Sequence, residues 1–214
     1  SKDSGRTYTP VFHSQRLGEF KLHPRKASWL LASTLSPHCY NNDAAGYCYK
    51  SLVFSSDYGE TWTELTKYVV QYDWVHGMRT HASEYPEEAI FATMHQRDFQ
   101  GDMHQAFGHW DTRVDFVVST DRFLTSTTLI PRGNRFLFTE RYLTVAQASV
   151  DAVAVVLQLS ADGGHKFVAA ELEYPMTQHS YTILDTSNDA VFLAVNHDGE
   201  GSKWGNIYLS NSIG

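Results

Sequence analysis

Cysteine is scarce in this chain, with two residues, Cys39 and Cys48, among 214. Basic residues are also few. Lys and Arg total 17 against 24 Asp and Glu, for a net charge of −7, and no basic run is longer than Arg25-Lys26. That balance excludes a nucleic-acid backbone as the expected partner. The longest apolar run, Ala152 to Leu157, is far too short to span a bilayer. No Asn-x-Ser/Thr site occurs, so glycosylation offers no argument for secretion. The chain opens at Ser1 without Met, as expected of a processed or excised piece, so the missing span speaks only for these residues.

Aromatic residues are abundant, with 12 Tyr, 12 Phe and 5 Trp. Broad flat side chains favour the pleated surface of a strand. The two cysteines flank Tyr40 to Tyr47, a polar turn-forming stretch, which is the pattern of a disulfide closing a hairpin loop. Such a bridge would favour an oxidising compartment, and a pair of free thiols is the other reading.

A repeat emerges when Ser55, Ser119, Ser160 and Ser210 are aligned, spaced 64, 41 and 50 residues apart. The residues one and three before each serine are apolar: Phe54 and Leu52, Val118 and Phe116, Leu159 and Leu157, Leu209 and Ile207. Period-two alternation running into a polar turn predicts a half-buried strand entering a hairpin. Two residues after the serine stand Asp57, Asp121, Asp162 and then Ser212; four after stand Gly59, Phe123, Gly164 and Gly214.

The first copy reads Ser55-Ser56-Asp57-Tyr58-Gly59-Glu60-Thr61-Trp62, a complete Ser-x-Asp-x-Gly-x-Thr-Trp string known as the Asp box. The third closes on Phe167 in place of Trp, the second is degenerate, and the fourth reaches the last residue. Ser and Asp side chains hold the turn through its backbone N–H groups, while Gly supplies positive φ. These aspartates are therefore expected to be structural and not catalytic.

Short apolar strings precede the boxes at Trp29–Ser33, Ile90–Met94, Phe136–Thr139 and Phe192–Asn196, and are read as one recurrent strand. The expected fold is all-β, a β-propeller of about four four-stranded blades, forming part of a larger ring. Approximate units are 1–66, 67–130, 131–175 and an incomplete 176–214.

Beyond the boxes, ordered strings run from Leu22-His23-Pro24 and Trp29-Leu30-Leu31-Ala32 through Cys48-Tyr49-Lys50-Ser51-Leu52 and Val114-Asp115-Phe116-Val117. They continue with Gly133-Asn134-Arg135-Phe136-Leu137-Phe138 and Ser180-Tyr181-Thr182-Ile183-Leu184, and end at Gly205 to Ser212. On these the chain resembles the sortilin family of sorting receptors, which carry the vacuolar protein sorting "ten" domain. The resemblance implies a ten-bladed propeller on the luminal side of a single-span membrane protein. Such receptors bind soluble cargo proteins or propeptides in the Golgi and carry them to endosomes, lysosomes or vacuoles, without catalysis or cofactor. The expected membrane span and adaptor-binding tail lie outside these residues.

Carried over residue by residue, the family's peptide contacts fall at Phe138, Tyr181 and Ile183. A small hydroxyl residue of those relatives is replaced by Glu140, and no Arg stands near Val155, where a carboxylate-pairing arginine is expected. An Arg–carboxylate pair is bidentate and specific. Its loss together with a gained Glu140 points to basic or internal cargo segments.

Two other constellations were weighed. His95, His104 and His109 lie in a polar stretch without zinc-ligand spacing, so a solvated loop is expected and a metal site is not. Histidines of this number also suggest gain of charge in endosomes. The competing class is an Asp-box propeller glycosidase or glycan-binding protein. Sialidases need an Arg-Ile-Pro string near the N-terminus, whereas this chain has Ile130-Pro131-Arg132, in the wrong order and place. Other propeller glycosidases use two cleft carboxylates.

Overall fold

The structure is a computed structural model. It describes residues 5–7, 17–40, 46–75, 84–96, 99, 101–103, 113–138, 142–151, 153–173, 176–177, 181–187, 190–196 and 204–210, with the side chains of 181–187, 190 and 210 excepted. Sixteen strands are found among them, grouped into four separate antiparallel sheets.

Sheet I is the meander β1 (Leu17–Leu22), β2 (Leu30–Leu35), β3 (Lys50–Ser55) and β4 (Thr63–Lys67). Sheet II runs β5 (Val69–Trp74), β6 (Ile90–His95), β7 (Val114–Ser119) and β8 (Thr127–Ile130). Sheet III runs β9 (Gly133–Phe138), β10 (Leu143–Ala148), β11 (Ala154–Ser160) and β12 (Val168–Ala169), with β13 (Met176–Thr177) also paired to β11. Sheet IV has three described strands, β14 (Tyr181–Ser187), β15 (Ala190–Asn196) and β16 (Gly205–Ser210).

Each core lies between sheets and not within one. Leu31, Leu52 and Phe54 of sheet I pack with Tyr72, Trp74, Ile90 and Val117 of sheet II. Phe91, Phe116 and Val118 of sheet II meet Phe136, Leu143 and Val145 of sheet III. Val155, Leu157 and Met176 of sheet III meet Leu193 and Val195 of sheet IV. Burying a side chain of this size contributes roughly 1.5–3 kcal/mol.

Sheets I and II, and sheets II and III, are joined by very short connections. Tyr68 alone links β4 to β5, and Pro131-Arg132 links β8 to β9; both Tyr68 and Arg132 adopt left-handed φ, 62° and 58°. Gly133 makes the second crossing close. A Cβ there would sit 2.7 Å from Phe116 Cβ and 3.0 Å from the Ile130 carbonyl oxygen. The outcome is a row of radially packed meanders, the architecture of a β-propeller, with the ring left unclosed.

Two expectations are corrected. Three of the four apolar strings are second strands of their sheets, within β2, β6 and β15, but Phe136–Phe138 belongs to a first strand, β9. The second strand of sheet III is β10, Leu143–Ala148, whose apolar run is interrupted by Thr144 and Gln147 and so does not stand out in the sequence. Nor is His95 in a solvated loop. It ends β6, is 4% exposed, and stacks on Phe99 with ring centroids 4.4 Å apart.

Candidate functional site

The Asp boxes join the third strand of a sheet to its fourth. In the first, Ser55 Oγ donates to Asp57 Oδ1 at 2.7 Å and accepts from Gly59 N–H at 2.8 Å. Asp57 accepts from Thr61 N–H at 2.9 Å and from the Thr61 hydroxyl at 2.5 Å, and Trp62 Nε1–H donates to the Gly59 carbonyl at 2.9 Å. The third box repeats the pattern, with Gly164 N–H on Ser160 Oγ at 2.8 Å and Lys166 N–H on Asp162 Oδ1 at 2.9 Å. Its closing Phe167 packs against the core between sheets II and III. The second box, degenerate as a string, is whole as a structure. Phe123 N–H donates to Ser119 Oγ at 2.7 Å, and Thr125 supplies both its N–H and its hydroxyl to Asp121. Residues 211–214 of the fourth copy lie outside the described residues.

This bonding decides the chemistry of the aspartates. The Thr61 hydroxyl, then its N–H and the Ser55 hydroxyl, hold the Asp57 carboxyl down at about 2, and Thr125 lowers Asp121 in the same way. At Asp162 burial pushes upward, but the N–H of Lys166 and the Ser160 hydroxyl prevail and the carboxyl is lowered. A general acid working near neutrality needs the opposite shift. These are corner aspartates. Arg132, part of the misplaced Ile-Pro-Arg string, likewise has a local job: its Nε–H donates to the Ala148 carbonyl at 3.0 Å and its N–H to Asp115 at 2.8 Å.

The first strands of the sheets carry most of the predicted ligand positions. Neighbouring first strands are tied to each other by side chains. Lys21 on β1 pairs with Asp73 on β5 at 2.9 Å and with Glu19 at 3.4 Å. Burial would lower the Lys21 ammonium, yet the hydrogen bond and charge of Asp73 outweigh it, and the group ends raised. Burial raises the Asp73 carboxyl, with Lys21 opposing. The Tyr72 hydroxyl donates to the Glu19 carbonyl, and Trp74 Nε1–H to the Lys21 carbonyl at 3.2 Å. One step further on, the Gln71 amide closes on the backbone of β9, donating to the Phe136 carbonyl at 2.6 Å and accepting from Phe136 N–H at 3.1 Å. A side chain thus imitates a strand across the gap between sheets.

That clamp bears on Phe138, the last residue of β9. Phe138 is half-buried, packs on the core between sheets II and III, and stacks against Phe136 at 6.3 Å. Glu140 lies outside the described residues. Tyr181 and Ile183 lie on β14, the first strand of the next sheet, in register with Val195 and Leu193; their side chains are not described. Val155, near which the family arginine was sought, is on β11 and is buried in the core between sheets III and IV. His104 and His109 fall outside the described residues, and among those described no cluster of ligating side chains could hold a metal ion. No described helix is long and apolar enough to cross a membrane.

The Cys39–Cys48 disulfide is formed. It closes the connection between β2 and β3, where Ser36 Oγ donates to the Tyr47 carbonyl at 2.8 Å and accepts from Tyr49 N–H at 3.1 Å. Met103 N–H donates to the Cys48 carbonyl at 2.9 Å, tying the loop to sheet II.

Comparison with known proteins places this geometry. Among solved structures the chain is similar to an uncharacterised protein of Listeria monocytogenes EGD-e, with a TM-score of 0.55 at 10% identity, covering 92% of this chain and 52% of that one. It is also similar to the β-propeller domain of the Trilobed protease from Pyrococcus furiosus, with a TM-score of 0.53 at 8% identity, covering 92% and 55%. At such identities the likeness concerns the fold alone. In sequence it is similar to the vacuolar protein sorting/targeting protein 10 of Fusarium vanettenii, 30% identical over 232 residues, covering 99% of this chain and 14% of that protein. The protein of the same name from Mycosarcoma maydis is 28% identical over 198 residues, covering 90% and 12%. The chain therefore spans about an eighth of these relatives. The family model described as sortilin, neurotensin receptor 3, matches residues 1–214 throughout, and the chain belongs to the Sortilin-Vps10 family.

Proposed function

We propose that this chain is part of the luminal, cargo-binding propeller of a membrane-anchored sorting receptor, and that it binds soluble proteins or propeptides without transforming them. The observation that carries the reading is the family match over all 214 residues. The relatives are named for vacuolar protein sorting, and the disulfide suits an oxidising lumen. The route follows from the same family: capture in the Golgi and delivery to endosomes, lysosomes or vacuoles.

Cargo is proposed to lie along the first strands, against Phe138, Glu140, Tyr181 and Ile183. The half-exposed ring of Phe138, held through Phe136 by the Gln71 clamp, supports this placement, since an aromatic on a rigid support makes a good anchor. With Glu140 two positions further along the sequence and no arginine at Val155, the cargo segment is basic or internal and not a free carboxyl end. Against the glycosidase reading stands the missing Arg-Ile-Pro string, Arg132 of the reversed string being engaged with Ala148 and Asp115.

The test is calorimetric titration of the full luminal ectodomain with candidate cargo propeptides, using Tyr181→Ala and Glu140→Ala as controls. Saturable binding weakened at least tenfold by either change is expected. Undiminished binding in both variants would move the site to another face. Glycoside turnover without protein binding would replace the receptor reading by the glycosidase.

A further inference from the structure

At the end of sheet I opposite to where its first strand finishes, a cavity of about 450 Å³ opens among Leu17, Glu19, Ser33, Leu35, Tyr40 and Lys50. It is of ligand-pocket size. Its walls are the start of β1, the end of β2, the start of β3 and Tyr40, the first residue inside the disulfide loop. Lys50 is the one cation in this lining. Its stem is half-buried, and its ammonium donates to the Val70 carbonyl on β5 at 2.6 Å. No described carboxylate forms an ion pair with it; Glu19, which shares the cavity, is in contact with Lys21 instead.

An ammonium carries three N–H donors, and a carbonyl oxygen occupies one of them. Burial lowers Lys50 below its ordinary value, with the field of Glu19 working the other way. A cation held partly out of water beside apolar walls is stabilised by any anion that reaches it.

We propose that this cavity is a binding site for a small aliphatic carboxylate, with the carboxylate on Lys50 Nζ and the hydrocarbon chain against Leu17, Leu35 and the Tyr40 ring. The site is distinct from the Phe138 and β14 positions and stands or falls without them. Glu19 sets its selectivity: the Glu19 charge stays in the lining, so a monocarboxylate is admitted more readily than a dianion.

The test is titration of the 15N-labelled full chain with hexanoate, followed by backbone amide shifts, with hexanamide as the uncharged counterpart. Saturable shifts are expected at Gly18, Glu19, Leu35 and Lys50, while hexanamide binds at least tenfold more weakly. Butyrate, two methylenes shorter, should bind about tenfold more weakly than hexanoate if the chain is buried. Lys50→Met should raise the hexanoate midpoint at least tenfold with an otherwise superimposable spectrum. Glu19→Gln, which removes a like charge while Asp73 still holds Lys21, should lower the midpoint two- to threefold. If Lys50→Met does not fold, the acid–amide comparison and the Glu19→Gln shift decide. Equal midpoints for acid and amide, shifts confined to other sheets, or no saturation by about 10 mM would overturn the proposal. Tyr181→Ala should leave every one of these midpoints unchanged, which separates this site from the cargo reading.

Discussion

Phe116 and Ile207 occupy the same step of the repeat, three residues before the serine of an Asp box, yet Phe116 is sealed at 0% exposure and Ile207 stands 70% exposed. Their companions differ in the same way: Val118 is 8% exposed and Leu209 is 55%. Leu52 and Phe54 in sheet I, and Leu157 and Leu159 in sheet III, behave like Phe116. The difference is one of neighbours, not of sequence. In sheets I and II both side chains of the pair, and in sheet III Leu157, join the core shared with the following sheet. The corresponding face of sheet IV has no following sheet among the described residues. Alternation therefore encodes which side a residue takes, and the adjacent sheet determines whether that side is dry.

The largest expected effect comes from breaking a sealed face. Phe116→Ala should cost about 3–5 kcal/mol, because Phe91, Phe136 and Gly133 are packed around the ring and cannot collapse into its space. Urea denaturation measures it; a loss under about 1 kcal/mol would mean that sheets II and III are not packed as described.

Sealing also acts on a polar residue. His95 is nearly as closed off as Phe116, its Nδ1 has no hydrogen-bond partner, and burial, aided by the charge of Arg113, lowers it to about 4 from 6.5. The unfolded chain therefore takes up this proton at higher pH than the folded one. The contribution is present in full above pH 6.5, erodes as pH falls from there, and is gone once the folded ring titrates near 4. Unfolding midpoints measured from pH 7 to 4 should fall in the native chain and fall less in His95→Phe. The Asp57 corner titrates lower, between 3.8 and about 2, so the two slopes separate along the pH axis.

Much of this was legible in the sequence, and what escaped has a physical cause. The serine–aspartate spacing found three corners because the motif is local, every bond spanning four residues or fewer. The second corner is less conspicuous because Gly59 and Trp62 are the prominent letters of the string, whereas the bonds at Ser119 and Asp121 need only N–H groups and the hydroxyls of Ser119 and Thr125. Strand β10 escaped since Thr144 and Gln147 break its apolar run. The Gln71 clamp on Phe136 joins residues 65 apart in the chain, and no period or spacing announces such a pair. The same holds for the Lys50 cavity, whose walls come from three strands. His95 misled because its neighbours Gln96 and Arg97 are polar, while one of the rings that bury it, Tyr68, comes from the link between sheets I and II, far back in the chain.

Corners allow a finer comparison. Tyr58 and Phe123 both hold left-handed φ, 62° and 64°, a conformation that costs a side chain roughly 1 kcal/mol relative to glycine. Tyr58 is 65% exposed, whereas Phe123 packs onto the core between sheets I and II beside Arg122, whose guanidinium lies over Trp29 and Phe54. Glycine at 58 should therefore raise stability by about 0.5–1 kcal/mol. At 123 the packing lost exceeds the strain relieved, and glycine should lower stability by about 1 kcal/mol. Thermal denaturation of Tyr58→Gly and Phe123→Gly side by side gives the signs; equal signs would mean that burial at position 123 contributes nothing.

The smallest effect is expected at Ile207→Ser, within about 0.5 kcal/mol of the native chain, because a side chain already in water loses little apolar burial on substitution. The substitution is informative because position 207 shares its place in the repeat with Phe116. A longer chain that supplies one more sheet should convert the same change into a loss of about 2–4 kcal/mol, the scale of a buried aliphatic truncation. Urea denaturation of both lengths, each with and without Ile207→Ser, isolates the contribution of the neighbouring sheet. A near-zero effect in both would show that Ile207 never enters a core and that the repeat ends its structural meaning at Leu159. A large effect in the longer chain alone would make adjacency, and not the identity of the apolar residue, the source of stability in this propeller.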